Sequence, residues 1–212
     1  MPDFTTTQIA AAIAVFVGAY AAGSVNFSLL AARLLGHGDL RSVGSGNAGA
    51  TNLARVAGKG AAAAVLALDI ARGAAVIFAA SALGMDPLSP LAAIPLVLGN
   101  RFPVFHGFHG GKGVAAAVGA MLVVSPFAVL AGGLVFFAVF AIGRRVSLGS
   151  LFMVLTYPFS TLLFGGNRFD VCAAGALAVF LVVSHRGNVA RLLAGTEPKF
   201  GAARKPSGES EP

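Results

Sequence analysis

The chain has 212 residues, of which 57% are hydrophobic and only 11% charged, whereas a soluble domain runs near half apolar and a quarter charged. That balance excludes an ordinary water-soluble core and points to a bilayer as solvent. The formal charge of +7 does not mark a nucleic-acid binder, because the basic residues are scattered between apolar runs; the single cysteine, Cys172, excludes an internal disulfide and a cysteine-built metal site.

Residues 1–8 carry Asp3 and no Lys or Arg, so they lack the basic start of a cleaved signal peptide, and the first apolar run is expected to be permanent. A bilayer core about 30 Å thick needs roughly 20 apolar residues per helix. On that criterion the chain reads as an all-α integral membrane protein of about seven transmembrane helices with short or re-entrant segments. The spans fall at about 8–31, 60–83, 88–100, 113–125, 127–142, 148–165 and 170–185. The third and fourth are short, and Ser125-Pro126 alone separates the fourth from the fifth, so five or six spans also fit. The domain expectation is one polytopic membrane domain over 1–195 and a polar cytoplasmic tail over 196–212.

Lys and Arg accumulate in short cytoplasmic loops. With the N-terminus outside, 13 of the 15 fall inside; Arg168 is outside and Arg72 lies within a span. The C-terminus is then cytoplasmic, which requires an odd number of spans.

Four polar clusters fall in the inside segments. The first runs from Arg41 through Ser45, Asn47, Thr51 and Asn52 to Arg55; its glycines let the backbone curl, expose N–H groups and suit an anion, and a flexible loop packing small residues against helices is the alternative. The second, from Gly99 to Gly113, places Lys112 among Gly110, Gly111 and Gly113 where an apolar helix starts. Ammonium, free amides and helix dipole together favour phosphate, or the glycines form a re-entrant turn with Lys112 as a topological anchor. It is not a Walker A loop, since His106 and Gly113 stand where Gly and Ser or Thr are required. The third holds Ser147 and Ser150, either of which is a candidate cap for the sixth span. In the fourth, His185 and Asn188 share a helix face. Asp69 and Arg72, three apart in the second span, are expected to pair, as a functional site or as a structural ion pair. The histidines show no metal-ligand spacing, and no metal or cofactor is assigned.

In order and spacing these clusters resemble the acyl-phosphate-dependent glycerol-3-phosphate acyltransferases, small membrane enzymes of bacterial phospholipid synthesis. The resemblance is carried by Gly23-Ser24 with Phe27, Asp39-Leu-Arg41, Gly44-Ser-Gly-Asn-Ala-Gly-Ala-Thr-Asn52, Arg55 and Asp69 in the first half. In the second half it is carried by Phe102-Pro-Val-Phe105, Gly110-Gly-Lys-Gly-Val-Ala115, Ser147-Leu-Gly-Ser150 and His185-Arg-Gly-Asn188 through Glu197. Asn26, Asn100 and His109 stand where the family usually carries Pro, His and Lys.

The resemblance implies seven helices in the bacterial inner membrane, an active site facing the cytoplasm, and transfer of an acyl chain from acyl phosphate to glycerol 3-phosphate. It assigns catalysis to Ser45, Arg55, Lys112, His185 and Asn188. Substrate binding falls to Asn47, Gly110, Gly111, Gly113, Ser147 and Ser150, and Glu197 is taken as structural. The partners implied are acyl phosphate, glycerol 3-phosphate and membrane lipid. An acyl phosphate is already activated, so positioning and charge stabilisation suffice. His185, oriented by Asn188, is the general base toward the glycerol hydroxyl, or else the substrate phosphate takes that proton. No histidine is followed after four residues by Asp, which speaks against the His-Asp dyad of acyltransferases that use soluble donors. The competing reading is a transporter for a phosphorylated or anionic solute, which would place ligand groups near the midplane in paired repeats.

Overall fold

The computed structural model describes residues 6–201, and among them there is no strand. The helices are α1 (Thr6–Ser24), α2 (Phe27–Leu34), α3 (Ala50–Val56), α4 (Gly58–Ala82), α5 (Ala93–Arg101), α6 (Val114–Val124), α7 (Pro126–Gly143), α8 (Val146–Leu163), α9 (Arg168–Ser184) and α10 (Arg186–Leu193). Helix occupies every segment expected to span. Length and apolarity together mark four stretches that can cross a membrane: α1 with α2, α4, α7 and α8. A fifth is α9 taken with α10, bent by 57° between them. α6, with 11 residues, is only about 16 Å long at the α-helical rise. α5 is also short, even with the 3₁₀ turn Ser89–Ala92 that leads into it.

The packing inverts that of a soluble domain. The interior is rich in small side chains, including Ala92, Ala93, Ala116, Ala117, Ala120 and Ala174, while Ile13, Val17, Phe78, Leu134 and Phe159 project outward from the helices. With lipid as poor a partner as Leu, helices gain by bringing backbones close rather than by burying large chains. Two crossings show it. A Cβ on Gly73 of α4 would run into the Ala116 carbonyl of α6, and one on Gly119 of α6 into the Ile70 carbonyl of α4. Gly23 of α1 and Gly99 of α5 meet in the same way, against the carbonyls of Leu96 and Tyr20.

Between α1 and α2 the helix breaks. Asn26 caps α2, its Oδ1 accepting from the Leu29 amide at 2.9 Å while its Nδ2 donates to the Ala48 carbonyl at 3.1 Å. Carbonyls at and just beyond the end of α1 are met by Arg72 of α4, which donates to Ala22 at 3.2 Å, Gly23 at 3.4 Å and Val25, while its Nη2 pairs with Asp69 at 2.6 Å. The expected Asp69–Arg72 pair therefore closes a helix break.

Candidate active site

All four polar clusters reach one cavity of about 1310 Å3. Chain alternation explains the convergence: residues 35–57, 102–113 and 144–145 are the connections at one end of the bundle, and His185 follows α9 at that same end. Ser45, Asn47 and Arg55 line the cavity with Gly110, Gly111, Lys112 and Gly113; Ser147, Ser150, His185 and Asn188 complete it. Every expected site residue is present in this one space.

Hydrogen bonds fix the loops around it. Asn52 donates from Nδ2 to the carbonyls of Leu40 at 3.0 Å and Val43 at 2.9 Å, and its Oδ1 accepts from the Ser45 amide at 2.8 Å. Asn52 thus holds the loop and is not one of the groups left for a ligand. Gly44, with φ of 62°, lies so close to Asn52 Oδ1 that a Cβ would collide with it. Arg41, paired with Asp39 at 2.7 Å, donates to the His106 carbonyl at 2.8 Å and so ties the first cluster to the second.

The electrostatics favour anions. Among the described residues neither Arg55 nor Lys112 has a carboxylate partner. The N-termini of α6, α8 and α10 border the cavity through Val114, Ser147 and Arg186, and each brings the positive end of a helix dipole. Burial, reinforced by Arg191, Arg101 and Arg55 and opposed by Glu197, brings the Lys112 ammonium down to about 8. It remains charged at neutral pH. His185 stands at the bend between α9 and α10 and is buried. Its Nδ1 is 2.7 Å from the Leu181 carbonyl; a carbonyl only accepts, so Nδ1 carries the proton and Nε2 keeps a lone pair.

Several local expectations change. Asn188 does not orient His185: its Nδ2 donates to Glu197 Oε1 at 2.6 Å, and the Leu181 carbonyl holds the imidazole instead. The amides of Gly110 and Gly111 are used by the carbonyls of Arg101 and Asn100, each at 3.1 Å, so these glycines shape the wall rather than donate to a ligand. Neither Ser147 nor Ser150 caps α8, whose N-cap is Arg145 without a side-chain bond. Both serines lie inside the helix and are buried.

Glu197 is the centre of a network that the sequence did not disclose. Its Oε1 accepts from Ser147 at 2.5 Å and Asn188 at 2.6 Å, its Oε2 from Arg191 at 2.8 Å, and its carbonyl from Arg145 at 3.2 Å. Burial alone would raise this carboxyl, but the three side-chain hydrogen bonds prevail and hold it below its ordinary value. Glu197, Pro198 and Phe200 line the cavity, and the Phe200 amide bonds the Arg144 carbonyl at 2.7 Å; only the later part of the expected tail, 202–212, lies outside the described residues. Asn100 and Arg101 also line the cavity. Its place in the same polar cluster as Lys112 was the available signal for Arg101.

The rest of the wall is largely apolar, built from residues such as Leu66, Val118, Val129 and Phe136, with Asp69 beside them. One space therefore joins an anion-suited end to a surface suited to hydrocarbon.

The family model for glycerol-3-phosphate acyltransferase matches residues 13–195. A glycerol-3-phosphate acyltransferase of Thioalkalivibrio sulfidiphilus is 43% identical over 200 residues, covering 93% of this chain and 98% of that one. One from Agrobacterium fabrum is 39% identical over 201 residues, covering 95% and 97%. Two crystal structures of PlsY (YgiH), an integral membrane glycerol 3-phosphate acyltransferase, superpose on this fold. The glycerol 3-phosphate form gives a TM-score of 0.84 at 37% identity over 90% of this chain and 96% of its own, and the lysophosphatidic acid form 0.81 at 34% over 90% and 95%. The chain is a multi-pass membrane acyltransferase and belongs to the glycerol-3-phosphate acyltransferase family.

Proposed function

We propose that the protein transfers an acyl group from an acyl phosphate to the 1-hydroxyl of glycerol 3-phosphate, releasing 1-acylglycerol 3-phosphate (lysophosphatidic acid) and inorganic phosphate. The carrying observation is that Arg55 and Lys112, both without a carboxylate partner among the described residues, border one cavity that also has a largely apolar wall built from α4, α6 and α7. Two phosphates and one hydrocarbon chain match that division. The cations offset repulsion between the phosphates, the hydroxyls of Ser45 and Ser150 and the side chain of Asn47 supply neutral hydrogen bonds, and Gly113 opens the start of α6 to the ligand. Ser147 and Asn188, held by Glu197, keep the wall in place.

The hydroxyl oxygen of glycerol 3-phosphate attacks the acyl carbon, the bond from that carbon to the phosphate oxygen breaks, and phosphate leaves with the electron pair. The proton goes to a phosphate oxygen rather than to His185. A phosphomonoester has a second pKa of about 6, so its dianion near neutral pH is a base already in place beside the hydroxyl. The Nε2 lone pair of His185 holds the hydroxyl by a hydrogen bond before reaction, and the O–H turns to a phosphate oxygen as the bond to the acyl carbon forms.

The reading includes seven crossings of the bacterial inner membrane, the N-terminus outside and the cavity facing the cytoplasm, in a single membrane domain over 1–195 followed by a tail whose first residues, Glu197, Pro198 and Phe200, return to the cavity wall. Its support is the accumulation of Lys and Arg in the connections at the cavity end. The test is purified protein in detergent given palmitoyl phosphate, palmitoyl-CoA or palmitoyl carrier protein with labelled glycerol 3-phosphate. Labelled lysophosphatidic acid from the acyl phosphate alone is expected; product from either thioester without acyl phosphate contradicts the proposed donor.

A further inference from the structure

The cavity continues from its charged end into a largely apolar trough. α4 and α7 both pack on α6; α4 contributes Leu66, Ile70 and Asp69, whose carboxylate is paired with Arg72, α6 contributes Val118, and α7 contributes Val129, Gly133 and Phe136. The three α7 residues lie at spacings of four and three, which puts them on one helix face. α7 ends at Gly143 beside the connection to Ser147, so Phe136 lies nearest the charged end and Val129 deepest. Gly133 lies four positions beyond Val129, about 6 Å along the axis.

Gly132 and Gly133 are adjacent but serve different purposes. A Cβ on Gly132 would press on Tyr157, Thr156 and Met153 of α8, the nearest at 2.8 Å, so that glycine exists for helix packing. A Cβ on Gly133 would meet nothing within 4 Å. No protein atom requires the glycine there, yet its position borders the cavity, where any side chain would project into the trough.

We propose that Gly133 sets the acyl-chain length that the protein accepts, its missing side chain leaving the trough open down to Val129. The proposal rests on the acyl-phosphate reading above. The occupant is the hydrocarbon of the acyl phosphate, because the trough is continuous with the phosphate-suited groups and Phe137, exposed to the lipid side, lines the same cavity. In the Gly133→Leu variant the branched side chain fills the space and cuts off the deep end. Long chains then lose their seat while short chains retain theirs.

The experiment compares palmitoyl phosphate with octanoyl phosphate as donors for the full chain in detergent, reading phosphate release that depends on glycerol 3-phosphate. Gly133→Leu lowers kcat/KM for the long donor about tenfold or more while holding the short donor within about twofold, with KM for glycerol 3-phosphate unchanged. Gly133→Ala shifts the ratio in the same direction by less, and Val129→Ala shifts it toward the long donor. Gly175→Leu on α9, also in open space but away from the cavity, leaves the ratio unchanged. If the unaltered protein uses both donors and neither Gly133→Ala nor Gly133→Leu moves the ratio, the length gauge is wrong and the proposed reaction stands. Equal loss with both donors in these variants also overturns the gauge. If the unaltered protein uses neither donor, the acyl-phosphate reading itself fails.

Discussion

Lys112 gives the most quantitative prediction. Its ammonium is charged below about 8 and neutral above, whereas glycerol 3-phosphate is already a dianion from about pH 7 upward. As pH rises through 8, the protein therefore loses a positive charge that the substrate still needs. At about pH 9 only about one site in ten keeps the proton, so kcat/KM for glycerol 3-phosphate falls up to about tenfold from its neutral value and levels off at higher pH once it reaches the activity left without the lysine charge. Bound phosphate raises the lysine pKa, so kcat at saturation declines at higher pH than kcat/KM. In Lys112→Arg the guanidinium stays charged throughout, and the alkaline limb assigned to Lys112 disappears even though the altered shape lowers the neutral rate. Lys112→Ala removes a hydrogen bond to a charged group, worth about 1.5–3 kcal/mol, or roughly 10- to 150-fold in kcat/KM. The assay is phosphate release across the pH range with glycerol 3-phosphate varied. An alkaline limb that persists unshifted in Lys112→Arg, or full activity in Lys112→Ala, would refute the reasoning.

His185→Gln keeps an acceptor near the hydroxyl, and the acid limb of kcat/KM should stay near the second ionisation of glycerol 3-phosphate in both proteins; loss of that limb in the variant would make the imidazole the base. Glu197→Ala leaves Ser147, Asn188 and Arg191 without their shared acceptor and should cost about 2 kcal/mol or more of stability, read as a lowered Tm in detergent. Gly119→Ala forces α6 away from the Ile70 carbonyl of α4 and should destabilise by about 1–3 kcal/mol; an unchanged Tm would show that these helices separate freely.

The helices and the shared site were largely legible because apolar runs alternate with basic, glycine-rich connections, and alternation brings every second connection to one end. Lys112 and His185 stood out as cations or imidazoles next to helix ends. The partner of Asn188 did not, because Glu197 lies nine residues on in a polar segment with the composition of a tail, and only folding shows that Arg191, Ser147 and Asn188 all bond to it. Asn26 shows the same gap: in sequence it is a departure from Pro, whereas in the fold it caps α2 and holds the Ala48 carbonyl. The short reach of α5 and α6 was legible as short third and fourth apolar runs, whereas the helix ends at Phe102 and Ser125 appear only in the fold.

The most direct test is a crystal structure of the protein with glycerol 3-phosphate bound. Its phosphate should lie inside the cavity within hydrogen-bond reach of Lys112 or Arg55, with the 1-hydroxyl turned toward His185 Nε2. Phosphate density at the opposite end of the bundle, or in the cavity but out of reach of both cations, would contradict the account.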